Sequence, residues 1–159
     1  MSKRAEDLAG RLKEFNDGVI AFVEGCSEEC WRKQTAEDWP VGAAARHIGD
    51  GHYSGAAGMG GMIVRGEKLP EYTMDQINGV ANQHAREHAG CTRAEVLDVL
   101  KKEGAALVAF VAGLSDADLD RTGHMAAIGR DISTQKFVEM VVLMSAAEHF
   151  ANLKAAAGK

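Results

Sequence analysis

Cysteine is scarce and odd in number. Cys26, Cys30 and Cys91 are the only three in 159 residues, which fits reduced thiols and excludes a disulfide framework. Cys26 and Cys30 stand four apart, yet no second Cys/His pair at zinc-finger spacing accompanies them, so they read as buried or incidental thiols. Long apolar runs are also missing: the most apolar stretch, Phe137 to Met144, is interrupted by Glu139 and falls far short of the roughly 20 residues that span a bilayer. The opening MSKRAEDLAG carries charges where a secretory signal needs its apolar core, so the expectation is a cytoplasmic protein. There is no excess of positive charge. A formal net charge of −5 without like-charge blocks argues against a nucleic-acid surface and for small-molecule or protein partners. Proline occurs twice, at Pro40 and Pro70, both at breaks in the helical pattern.

What is present is an ordinary globular composition, 46% hydrophobic and 26% charged, which indicates neither disorder nor a membrane class. A chain of this length suits one domain, residues 1–159, able to bury roughly 70% of its unfolded surface without a covalent staple.

Helical periodicity dominates. Leu8, Leu12, Phe15, Val19 and Val23 recur at steps of three and four, which predicts an amphipathic helix ending near Gly25. Ser27 ahead of Glu28 and Glu29 predicts a short capped helical turn. Trp39-Pro40 opens a second helix to about Arg65, rich in glycine, with Gly58 to Gly61 as its expected point of distortion. Thr73 with Gln76 and Thr92 with Glu95 are capping-box pairs, and the segments they open read as two parts of one broken third helix. Residues 115–131 show no sustained period and read as the one long connection, with a short helical turn expected at its start. Ser133 or Thr134 caps a last helix with Val138, Val142, Ser145 and His149 on one stripe. With no competing strand pattern, the expected fold is all-α, an antiparallel four-helix bundle.

Few side chains in this pattern carry chemistry. Gly49-Asp50-Gly51-His52-Tyr53-Ser54 begins like a dinucleotide-binding loop, but it follows a helical rather than a strand pattern and lacks the last glycine, so it reads as a helix contact. His84 and His88 lie four apart on one helix face, where two imidazoles can share a metal, although histidines near a helix C-terminus are also favoured by the dipole alone. His124 reads as an ordinary loop residue. His47 and His149 lie in apolar surroundings on different helices and are expected to approach each other, since bundle metal sites are assembled from inward side chains on facing helices.

Trp39-Pro40 precedes Ala45-Arg46-His47-Ile48; Asp75 to Asn78 precedes Thr92-Arg93-Ala94-Glu95-Val96-Leu97; Leu114-Ser115-Asp116-Ala117-Asp118-Leu119 and Glu148-His149-Phe150-Ala151-Asn152-Leu153 follow. In order and spacing, over nearly the whole chain, these segments resemble the DinB/YfiT-like metal-dependent enzymes, relatives of the N-terminal domain of mycothiol-dependent maleylpyruvate isomerase and of thiol S-transferases. The resemblance implies a four-helix bundle holding a divalent metal, zinc or nickel, through one histidine on the second helix and two ligands four apart on the last. On this chain it implies His47 and His149 as metal ligands, with the middle position falling on Ser145. A neutral hydroxyl is a poor ligand for such an ion. The third ligand is then expected from Glu148, His52 or the His84/His88 pair, or else the site has lost its metal. Two functions follow from the resemblance. One is a metal-dependent hydrolase or a transferase acting with a low-molecular-weight thiol; the other is a metal-free bundle that binds a small ligand or forms a homodimer.

Overall fold

Capping residues set where the helices begin. The computed structural model describes residues 2–158. Helix α1 (Lys3–Glu24) starts at Ser2, whose hydroxyl accepts the Ala5 N–H, and it buries Leu8, Leu12, Val19 and Val23. Helix α2 (Glu28–Arg32) is capped by Ser27. A tight loop follows, closed by Thr35 N–H to the Trp39 carbonyl at 2.8 Å and Val41 N–H to the Lys33 carbonyl at 2.9 Å. Asp38 turns that loop in the left-handed region, φ 61°, which a short polar side chain tolerates better than most.

The second long helix is three pieces in one run: α3 (Val41–His47), a π-helical segment (Ile48–Tyr53) and α4 (Ser54–Arg65). Its distortion lies at Ile48–Tyr53, while Gly58 to Gly61, the expected place, is regular α-helix. Close approach explains the position. A Cβ on Gly49 would stand 2.6 Å from Val99 Cγ1, and one on Gly51 would stand 2.5 Å from His47 Cε1, whereas Gly58 faces open space.

Helices α5 (Met74–Glu87) and α6 (Arg93–Ala112) open with complete capping boxes at Thr73/Gln76 and Thr92/Glu95. They are separate helices, not parts of one: α5 packs on α3, while α6 packs chiefly on α1 and the first π segment. Thr73→Ala and Thr92→Ala are each expected to cost about 0.5–2 kcal/mol in urea unfolding, because each leaves a helix-end N–H without its acceptor. Midpoints unchanged in both variants would show that the caps contribute nothing.

Residues 115–131 hold the helical turn expected at their start and, beyond it, a hairpin that was not. Ser115 caps α7 (Asp116–Asp120), and an antiparallel hairpin follows, β1 (Thr122–Met125) and β2 (Arg130–Ser133), with Thr122 opposite Ser133. Four-residue strands are too short to show a period. Ile132 anchors the hairpin in a small second core with Ile63, Leu69 and Phe137. The last long helix again has three pieces: α8 (Thr134–Val138), capped by Ser133, a second π segment (Glu139–Ala146) and α9 (Ala147–Ala156).

Side-chain contacts fix the helix directions. Ser2 bonds Asp116 beyond the end of α6, and Arg93 at the start of α6 bonds the Cys26 carbonyl beyond the end of α1, so these two helices are antiparallel. Arg11 meets Glu139 and Phe15 meets Phe150, so α1 runs alongside the last helix. Gly49 lies against Val99 and Gly60 against Phe110, so the second helix runs alongside α6. The all-α bundle is therefore two parallel pairs set antiparallel to each other. The step from the second helix to α6 joins parallel neighbours, which requires a long crossover, and α5 lies in it.

Candidate metal centre

The first π segment assembles the site. In an α-helix, residues five apart diverge by about 140° around the axis. Where hydrogen bonds run i→i+5 they stack about one turn apart, so His47 and His52 face the same way. Their rings lie 4.8 Å apart at 83°. From the last helix, which runs antiparallel to the second, His149 places its ring 5.4 Å from His47 and 4.9 Å from His52. One ligating nitrogen from each of His47, His52 and His149 falls within 4.8 Å of the others.

Hydrogen bonds settle the orientation of two of these rings. Glu37 Oε1 lies 2.8 Å from His149 Nδ1 and also accepts from Asn152 Nδ2 at 2.7 Å. A carboxylate only accepts, so His149 donates from Nδ1, and in its neutral form the Nε2 lone pair is left free for a metal. For His52, Nδ1 donates to the His47 carbonyl at 3.4 Å, and Nε2 then accepts from Ser145 Oγ at 3.1 Å. Trp39 braces the other side: its indole stacks on His149 at 5.5 Å and 20°, meets His47 edge-on at 5.3 Å, and donates Nε1–H to Asn82.

Two of the three imidazoles are held neutral. Burial, reinforced by His52, His149 and His84 nearby, lowers His47 to about 3. Burial and then His149 lower His52 to about 4, against the opposing pull of the His47 carbonyl and Glu37. Burial alone would raise the Glu37 carboxyl, but the hydrogen bond and charge of His149, with Asn152 and Thr35, hold it below its ordinary value. Neutral nitrogen is the form that binds a metal, so this donor set fits one. His47 Nδ1 and Glu37 Oε2 are moreover buried without hydrogen-bond partners among the described residues, an unpaired condition that costs stability in the metal-free protein.

Of the candidates for a third nitrogen, His52 joins His47 and His149. Glu148 is exposed and stays apart, and His84 with His88 belongs to a neighbouring group. Ser145 does face the site, as a hydrogen-bond partner of His52. Glu37 was not legible: it is one acidic residue in a polar loop, and only the folded loop presents it to His149.

Three convergent imidazoles between antiparallel helices, one of them held by a carboxylate, define a helical-bundle protein with a candidate metal centre. The sequence profile of the DinB superfamily matches residues 11–150, a span containing Glu37, His47, His52 and His149, and the chain belongs to this superfamily. No curated protein matches it. Among the described residues no helix is long and apolar enough to cross a membrane.

Proposed function

We propose that the chain is a metal-dependent enzyme of the hydrolase or low-molecular-weight-thiol transferase kind, holding a divalent ion, zinc or nickel, with His47, His52 and His149. The observation that carries this reading is the convergence of three imidazoles, with nitrogens within 4.8 Å of one another, two of them held neutral by burial. Three protein ligands are the number that leaves a reactive position open. When bound, such an ion supplies Lewis acidity and lowers the pKa of water or a thiol beside it. Three neutral imidazoles backed by the single carboxylate of Glu37 leave the site net positive around a dication, which favours an anionic nucleophile, hydroxide or thiolate. The chain's own parts have distinct tasks. Glu37 and Asn152 orient His149, Trp39 shields one side from water, and the Ser145 hydroxyl can turn to a substrate atom once His52 Nε2 is engaged.

Calorimetric titration of chelator-treated, untagged protein with zinc and nickel tests this. The parent is expected to take up an equivalent of metal that His47→Ala loses. Uptake identical in the two proteins, or none in the parent, sinks the reading and leaves the metal-free ligand-binding bundle. Glu37→Gln is expected to weaken the same binding by roughly 10–100-fold, because a neutral amide is a weaker acceptor for the His149 Nδ1–H and makes the imidazole less basic. An affinity equal to the parent's would show that Glu37 does not support the metal.

A further inference from the structure

Five of the six histidines form one continuous run of rings. His52 and His149 adjoin His47; His47 lies 5.5 Å from His84, and His84 lies 4.5 Å from His88. The centre described above uses only the inner three. His84 lies in the last turn of α5 and His88 caps its C-terminus, and opposite them the first π segment presents Asp50, whose Oδ2 is 3.1 Å from His84 Nε2. One ligand atom from each of Asp50, His84 and His88 lies within 4.8 Å of the other two.

We propose that Asp50, His84 and His88 form a second site for a first-row divalent cation such as zinc, between the first π segment and α5. Two imidazoles and a carboxylate are a donor set that suits zinc and its neighbours and disfavours magnesium and calcium, which take oxygen ligands. α5 packs on α3, which runs directly into the first π segment, and Asp50 already bonds His84, so the site is largely formed before the ion arrives. Ligand atoms around a tetrahedral zinc stand roughly 3.3 Å apart. Closing from 4.8 Å or less needs side-chain rotation only, and His88 at the end of α5 is partly exposed and able to make it.

His84 supplies the second observation. Asp50 can only accept, so His84 donates through Nε2, and its Nδ1 is buried without a partner among the described residues. Neutral His84 thereby offers an ion an unused lone pair at Nδ1, with no proton displaced. Arg46 donates Nε–H to Asp50 Oδ2 at 2.8 Å, which fixes the carboxylate in the way that outer partners fix metal ligands. Its positive charge, only partly offset by Glu87 beside His88, makes this the weaker of the two sites.

Zinc calorimetry on the parent, His52→Ala, His88→Ala and Asp50→Asn separates the two sites, with circular dichroism to confirm that each variant is helical. The parent is expected to bind two equivalents. His88→Ala and Asp50→Asn should each lose the weaker one by tenfold or more in affinity and keep the tighter, while His52→Ala does the reverse. His88 ring signals in NMR should shift during the second equivalent in the parent, a readout needing no variant. A single equivalent lost in His52→Ala, with both outer variants matching the parent, overturns this second site and leaves the inner centre standing. A single equivalent lost in His88→Ala supports the second site and removes the proposed function.

Discussion

In His52→Ala, zinc affinity at the inner centre is expected to fall by roughly 10²–10³-fold, and adding Ser145→His in that background is expected to restore most of it. Zinc sites with four protein ligands are bound by about 10–16 kcal/mol, so each ligand is worth about 2.5–4 kcal/mol. Rescue depends on geometry. Ser145 Oγ lies 3.1 Å from His52 Nε2, so the serine occupies the place from which an imidazole on the last helix would reach the same ion. While His52 is present, a histidine at 145 collides with its ring, and Ser145→His alone is expected to give no gain. Once His52 is removed, the ring has room. Calorimetry on the single and double variants checks this. If the double variant binds no better than His52→Ala, Ser145 does not face the ion.

For the metal-free protein, stability is expected to fall by an amount on the order of a few kcal/mol as pH drops from 6.5 to 4.5. The folded protein holds His47 at about 3 and His52 at about 4. Both titrate near 6.5 in the unfolded chain, so between these values the unfolded state binds more protons and is favoured. Above about 6.5 both states are neutral and their contribution to stability is complete. It is lost progressively below that, while Glu37, with its lowered pKa, adds a further loss below about 4.5. Urea unfolding at pH 7.5, 6.5, 5.5 and 4.5, in the presence of a chelator, measures it. Substituting both histidines with glutamine should flatten the dependence in this window. A midpoint independent of pH, or one that falls equally in the double variant, would show that these two rings are not held neutral by burial. Saturating zinc should shift the loss to lower pH, since bound metal competes with protons for the same nitrogens.

Legibility followed the range of the interaction concerned. Ser27, Thr73, Thr92 and Ser133 were readable as caps because a cap is a contact with a residue two or three positions on. His47 and His149 were readable as partners because each sits on an apolar stripe that a bundle turns inward. His52 entered only as one of several possible third ligands, since an α-helical period places it about 140° from His47. The hairpin at Thr122–Ser133 was invisible for another reason: its strands are four residues long and are held by Ile63, Leu69 and Phe137 from other elements. Asp50 was read as part of a glycine-rich helix contact. Its place beside His84 depends on where α5 lies across α3.

By itself, then, the sequence determined the helix starts, the apolar stripes, the all-α bundle and two of the three inner histidines. These rest on hydrogen bonds and periods that span a few residues. The third imidazole, the carboxylate behind His149, the pairing of helix directions and the Asp50–His84–His88 group depend on how the helices pack. A π turn has no local signature comparable to a cap. It is selected where Gly49 must lie against Val99 and Gly51 must leave room for the His47 ring, and those neighbours are known only once the helices have packed.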